Sequence, residues 1–117
     1  MTAANDLFID GPVGRLAIRT KGTETRPAQA VVMVQGSNLS GPGIFDFSYP
    51  GGRDYSLMDA IVSMGFAAIT FSIRGYGQSD PPTDPFTVTT EAAMEDLAAV
   101  IEWTRAQGLD RKSTRLN

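Results

Sequence analysis

The turn R-G-Y-G-Q-S-D over 74–80 holds the residues whose types and spacing come closest to a chemical site. It follows the apolar run 66–73, which has the right length for a strand buried on both faces. Gly75 and Gly77 allow backbone conformations that a Cβ closes to other residues. Ser79 could act as a nucleophile, but the G-x-S-x-G sequence that presents a catalytic serine is missing around it. We therefore predict that this turn is structural and that Ser79 is not catalytic.

A second glycine turn, Q-G-S-N over 35–38, follows another apolar run at 28–34. Ligands of open α/β sheets bind beyond the carboxyl ends of the strands, and both glycine turns leave such ends. One glycine by itself often only lets the chain turn, but two such turns at corresponding ends of adjacent strands favour a site. A dinucleotide site is excluded, because a third glycine is missing and prolines rather than a helix follow the second turn.

Histidine and cysteine are absent from all 117 residues. A triad of serine, acid and histidine is therefore incomplete in this chain. The lack of cysteine excludes disulfides, thiolate metal sites and a cysteine nucleophile. The aspartates lack the spacing of a calcium loop; they include Asp46, Asp54, Asp59, Asp80 and Asp84. We expect no bound metal and no cofactor.

The order of predicted elements shows how the two turns could be positioned. Short strands at 7–9 and 16–19 are joined by a connector typical of a hairpin loop. Residues 28–34 are predicted to form a buried strand, because the apolar residues 31–34 are continuous rather than alternating. A long connection rich in Gly, Pro and Ser fills 35–53. The second buried strand, 66–73, completes a pattern of hairpin, strand, helix, strand and helix. This pattern predicts a mixed sheet whose later strands are parallel and covered by helices.

Two helices are predicted from hydrophobic spacing and capping residues. The first spans 55–64, with Asp54 as its N-cap and Gly65 at its end. The second begins at the N-cap Thr90 and stops at Gly108. Their apolar faces are formed by Leu57, Ile61 and Met64 in the first helix and by Met94, Leu97, Ala98 and Ile101 in the second.

In order and spacing, residues 16–108 resemble the amino-terminal part of an α/β-hydrolase. The R-G-x-G-x-S turn that this family carries after its fourth strand is matched by Arg74, Gly75, Gly77 and Ser79. After its third strand the family has an H-G turn, and here Gln35 replaces the histidine. The second helix, with E-D-L at 95–97 and I-E-W at 101–103, is similar to the family helix that leads into the nucleophile strand.

The resemblance implies an oxyanion hole on the turn after the third strand. Its first candidate donor is the backbone N–H of Ser37, supported by Gly36, and its second is that of Asn38. Arg74 would anchor the other turn rather than react. In the family, the nucleophile, acid and histidine follow the second helix, which places all three downstream of this chain. We therefore expect a partial α/β-hydrolase fold: a hairpin, then parallel strands with covering helices, truncated before the nucleophile strand.

The end of the chain differs in composition from the rest. Residues 110–117, D-R-K-S-T-R-L-N, are basic and lack periodicity. This string looks like the translation of a common sequencing-library adapter, although a solvated terminus would have a similar composition. We therefore expect residues 1–109 to form the amino-terminal part of an α/β-hydrolase domain, and 110–117 to be a non-native tail.

Overall composition limits the cellular compartments and the kinds of binding partner that fit this chain. The net charge of -3, without a dense basic patch, argues against nucleic-acid binding. No apolar run approaches the roughly 20 residues that span a bilayer, and the first ten residues do not resemble a signal peptide. These features favour a cytoplasmic protein without a membrane or nucleic-acid partner. The family implies a small-molecule substrate, and the oligomeric state stays open.

Two classes of function fit these observations. The first is a fragment of a serine-type α/β-hydrolase that acts on an ester, amide or related bond. The second is a non-catalytic α/β-hydrolase-like domain that serves as a binding or interaction module, because the fold alone does not specify function. The next roughly 15 to 20 encoded residues would separate them, since a buried strand ending in G-x-S-x-G favours the enzyme.

Overall fold

A four-stranded mixed sheet forms the centre of the molecule. The computed structural model describes residues 4–23, 29–34, 46, 48–49, 53–54 and 56–108. The strands are β1 (Ala4–Asp10), β2 (Arg15–Lys21), β3 (Ala30–Met33), β4 (Ser48–Tyr49), β5 (Arg53–Asp54) and β6 (Ala67–Phe71). The helices are α1 (Leu57–Ser63), α2 (Thr90–Ala106) and a 3₁₀ turn at Pro85–Thr87.

The sheet order is β1-β2-β6-β3, and β4 and β5 form a separate antiparallel pair. β1 pairs with β2, and β2 with β6, in antiparallel fashion, with Ile18 opposite Phe71. β3 runs parallel to β6, with Met33 opposite Thr70. The predicted hairpin followed by parallel strands is therefore confirmed.

The two helices cover opposite faces of the sheet. Ile69 and Phe71 of β6 pack on the α2 side and Ala68 packs on the α1 side, as expected since alternate residues of a strand point to opposite sides. Both faces of β6 are covered, and its five residues are all buried. Among the described residues, the apolar core of the α2 face is formed by Ile9, Leu16, Ile18, Ile69, Phe71, Ile73 and Val100. Trp103 of α2, the only tryptophan, packs against this core. Of the residues that the structure describes, the core of the α1 face contains Met33, Met58, Ile61 and Ala68.

Both predicted N-caps are wrong by one or two residues. Ser56, not Asp54, caps α1, because its Oγ accepts a hydrogen bond from the N–H of Asp59 at 3.1 Å. Thr89, not Thr90, caps α2 by accepting from the N–H of Ala92 at 3.2 Å. In each case a neighbouring hydroxyl reaches the third residue beyond it, as N-capping requires. Gly65 and Gly108 follow the two helices, as predicted.

The predicted apolar faces are also only partly right. In α1, Leu57 and Met64 are 47% and 66% exposed, and the buried residues are Met58 and Ile61. In α2, Met94 is 64% exposed and Ala98 is exposed, while Leu97 and Ile101 are partly buried. The buried stripe of α2 consists of Ala92, Asp96, Val100 and Thr104. A hydrophobic pattern missed this stripe because half of its members are polar.

The predicted oxyanion turn, residues 35–38, lies outside the described residues, as does the tail 110–117. Within the connection 35–53, predicted as one irregular segment, the structure adds the β4 and β5 strand pairing.

Candidate functional site

The turn that follows β6 is held by its own backbone hydrogen bonds. The N–H of Gly75 donates to the carbonyl of Asp80 at 3.1 Å, and the N–H of Tyr76 donates to that of Ile73 at 2.9 Å. Gly75 and Gly77 have φ values of 80° and 51°, which residues with a Cβ rarely adopt. The glycines at these two positions therefore let the chain reverse directly at the carboxyl end of β6.

Arg74 joins the start of this turn to α2. Its Nη2 lies 2.8 Å from Asp96 Oδ1, its Nε lies 3.1 Å from both carboxylate oxygens, and its backbone N–H donates to Oδ2 at 2.9 Å. Nη2 also donates to the carbonyl of Ala92 at 3.2 Å and to Glu95 Oε1 at 3.1 Å. The side chains of Arg74 and Asp96 are only 6% and 1% exposed. Hydrogen bonding to Asp96 raises the pKa of Arg74 further above its ordinary value.

Ser79 joins the other end of the turn to β2 and to the end of β6. Its Oγ donates to the carbonyl of Ser72 at 2.5 Å and accepts from the N–H of Ala17 at 2.9 Å. The residue is 6% exposed. The hydroxyl proton is thus directed at a backbone carbonyl, an arrangement that bridges two strands and activates no nucleophile.

Asp80 closes the turn on the protein surface. Its carboxylate accepts from the backbone N–H of Arg15 at 3.0 Å and from Arg15 Nε at 3.2 Å, while its own N–H donates to the carbonyl of Arg15 at 2.9 Å. The two side chains are 39% and 59% exposed. Hydrogen bonds from the Arg15 side chain and backbone hold the pKa of Asp80 below its ordinary value.

The parallel pairing of β3 and β6 brings their carboxyl ends to the same edge of the sheet. Thr70 Oγ1 donates to the carbonyl of Met33 across this pair at 3.3 Å. The described chain leaves β3 at Val34, beside the end of β6 from which 74–80 departs. Gly36, Ser37 and Asn38 lie beyond Val34, outside the described residues, so their candidacy as an oxyanion site stays a prediction.

A group of polar side chains on the α1 face, most of them charged, was not predicted from the sequence. We call it the Lys21 cluster; it consists of Arg19, Lys21, Asp46, Ser56 and Asp59. Lys21 Nζ lies 2.6 Å from Asp46 Oδ1 and 2.8 Å from Asp59 Oδ1. Arg19 Nη1 lies 2.8 Å from Asp46 Oδ2, and its Nε lies 2.6 Å from Asp6 on β1. The only signal in the sequence was two basic residues two positions apart on β2, which must share a face.

Burial and hydrogen bonding act against each other in this cluster. Burial alone would lower the pKa of Lys21, but hydrogen bonds to Asp46 and Asp59 outweigh it and raise the pKa. Burial would raise the pKa of Asp46, but hydrogen bonds from Lys21, Ser56 and Arg19 lower it below its ordinary value. The cluster therefore favours the charged form of both side chains.

Three solved structures similar to this chain are α/β hydrolases by description. The first, from Agrobacterium tumefaciens and of unknown function, has a TM-score of 0.62 at 21% identity. The match covers 93% of this chain and 46% of that structure's chain. An α/β serine hydrolase homologue from Coxiella burnetii has a TM-score of 0.54 at 24% identity, covering 94% and 49%. An α/β serine hydrolase without a lid from Xanthomonas campestris has a TM-score of 0.50 at 27% identity, covering 94% and 48%.

These comparisons show that the chain has the α/β-hydrolase fold and spans slightly less than half the length of the structures that it matches. No protein-family model matches the sequence. No curated protein matches it either. Neither described helix combines the length and the apolar character needed to cross a membrane.

Proposed function

We propose that this chain is the amino-terminal part of a serine-type α/β-hydrolase that cleaves an ester, amide or related bond in a small-molecule substrate. The proposal rests on one observation: the fold and the sequence motif agree at the turn that follows β6. The R-G-x-G-x-S sequence forms a closed turn at the carboxyl end of β6, within a fold similar to half of each hydrolase structure. The description of one of these structures as a serine hydrolase supports the reaction class.

In this proposal the turn at 74–80 is structural. Arg74 holds it to α2 through Asp96, and Ser79 holds it to β2. Both side chains are buried and occupied by these contacts, so neither is a reacting group. The turn would then fix the carboxyl end of β6 beside the carboxyl end of β3.

The chemical contribution of this half is the oxyanion hole. When a serine oxygen attacks the carbonyl carbon of a substrate, negative charge develops on the carbonyl oxygen, and the N–H of Ser37 or of Asn38 would donate to it. Gly36 would let the backbone approach closely. Such a donor contributes roughly 3 kcal/mol to transition-state stabilisation. The nucleophile, acid and histidine would come from residues encoded after 109, because this sequence contains no histidine.

The experiment begins by reading the genomic locus beyond codon 109 and expressing the extended chain. A buried strand ending in G-x-S-x-G, together with turnover of a nitrophenyl ester, supports the enzyme. If that strand and its G-x-S-x-G sequence are missing, the second function is favoured, a non-catalytic binding or interaction module.

The oxyanion assignment is tested in the same extended chain by Gly36→Val. We expect kcat to fall by on the order of a hundredfold, as for the loss of one oxyanion donor. Gly65→Val is the matched control, because Gly65 precedes β6 and so lies at the end of the sheet opposite to the turns. It should lower stability but leave kcat unchanged. Unchanged kinetics in a folded Gly36→Val variant would exclude the assignment.

We also propose that residues 1–109 are native domain, that 110–117 are a translated adapter, and that the protein is cytoplasmic. The nucleotide record tests the tail directly. Codons that match the adapter across 111–117 support a non-native end, and codons that depart from it refute that origin.

A further inference from the structure

The Lys21 cluster joins three parts of the chain: β2, the connection between β3 and α1, and the start of α1. Asp46 Oδ1 accepts from Lys21 Nζ at 2.6 Å and from Ser56 Oγ at 2.5 Å, and Oδ2 accepts from Arg19 Nη1 at 2.8 Å. The two cations belong to β2, and Ser56 is the N-cap of α1. One carboxylate from the connection between β3 and α1 is thus held by a strand and by a helix start.

The donors that hold Asp46 are themselves fixed. β2 is paired on both sides, with β1 and with β6. Ser56 Oγ also accepts from the N–H of Asp59, so the capping geometry of α1 sets its position. Because the donors come from rigid elements and their bonds to a carboxylate are charge-assisted, they define a single place for Asp46.

Burial makes this attachment specific to charge. The side chains of Lys21, Asp46 and Asp59 are 5%, 7% and 15% exposed. Removing one charge leaves the others buried without full compensation, whereas exposed pairs tolerate such a loss.

We propose that the Lys21 cluster is a positioning device that fixes Asp46, in the connection between β3 and α1, to β2, with Lys21 and Arg19 as its positioning residues. This role deepens the proposed function and rests on it, because the same connection carries the proposed oxyanion donors Ser37 and Asn38. In the enzyme, the cluster would hold Asp46, nine residues after Ser37 in the sequence, against β2.

The test is amide hydrogen exchange, read by mass spectrometry on this 117-residue chain, for Asp46→Asn and the unmutated sequence. The variant keeps the shape of the side chain and removes its charge. We expect at least tenfold faster exchange in peptides covering β4, β5 and the first turn of α1, with β6 and α2 unchanged. Asp80→Asn is the matched control, since it makes the same chemical change in an exposed Arg–Asp pair. It should leave the same peptides unaffected.

Two results would overturn the proposal: unchanged exchange in Asp46→Asn, or equal acceleration in every peptide, which would indicate a general loss of stability. If Asp46→Asn does not fold, Arg19→Gln decides, because Arg19 is 26% exposed and its loss leaves Lys21 in place. It should accelerate exchange in the same peptides by a smaller factor. A uniform acceleration, or none, would again overturn the proposal. Exchange needs no catalysis, so a negative result leaves the oxyanion proposal standing, while Gly36→Val kinetics test that proposal alone.

Discussion

The molecule uses buried charge on both faces of its sheet, but in two different arrangements. On the α2 face, Arg74 and Asp96 form a closed pair, 6% and 1% exposed, in which one carboxylate receives a guanidinium and a backbone N–H. On the α1 face, Asp46 divides its two oxygens among Lys21, Arg19 and Ser56, and Arg19 extends the group to the exposed Asp6. In the closed pair, the carboxylate of Asp96 accepts from Arg74 alone among the described residues, although Arg74 also donates to Ala92 and Glu95. Asp46 accepts from three residues, so the loss of one donor leaves it two others.

We expect the largest loss of stability from breaking the closed pair. Arg74→Met leaves the carboxylate of Asp96 buried without its cation, which should lower the free energy of unfolding by about 3–5 kcal/mol. Urea denaturation measures this change. The double variant Arg74→Met/Asp96→Asn should recover at least half of it, because the amide oxygen can still accept from the N–H of residue 74 and no charge stays buried. A double variant no more stable than the single one would mean that lost packing, rather than the unpaired charge, is responsible.

An uncharged contact in the same turn provides the intermediate case. Ser79→Ala removes the acceptor for the N–H of Ala17 and the donor for the carbonyl of Ser72. We expect a loss of about 2 kcal/mol, within the usual range for unsatisfied buried groups and below that of Arg74→Met. Ser63→Ala is the control, since Ser63 Oγ donates to the carbonyl of Ala60 on the exposed surface of α1. Equal losses in both variants would show that burial does not set the magnitude.

The smallest effect should appear as a pH dependence of the α1 face. The pKa values of Asp46 and Asp6 are lowered from 3.8 in the folded chain, so their contribution to stability is present above pH 3.8 and is lost as pH falls through the lower folded values. Urea midpoints measured across this acidic range should therefore decline. Asp46→Asn should make the decline shallower, and an unchanged slope in that variant would assign the acid sensitivity to other carboxylates.

Local patterns were enough to predict the order and pairing of the main strands. The apolar run at 66–73 identified the central strand, and the hairpin and the parallel pair followed from the order of elements. The helix faces were less predictable, because the contact with Arg74 buries Asp96, a residue that hydrophobic spacing assigns to the surface.

The candidate site was predictable only as far as it depends on a short motif. Arg74, Gly75, Gly77 and Ser79 form a continuous turn, so their proximity is encoded locally. The Lys21 cluster combines β2 with residues 25 and 38 positions away, and no local pattern indicates which distant aspartates will meet that lysine.

The single tryptophan gives the chain an optical probe that responds to only one of its faces. Trp103 borders an open groove of about 390 Å³ between α2 and the end of β1, together with Ile9 and Asp10. Indole emission shifts to longer wavelength when water reaches the ring, so separation of α2 from the sheet would change the colour of the natural fluorescence. Opening of the Lys21 cluster occurs on the opposite face and should leave that emission unchanged. Fluorescence combined with circular dichroism would therefore distinguish loss of the α2 face from loss of the α1 face without any added label.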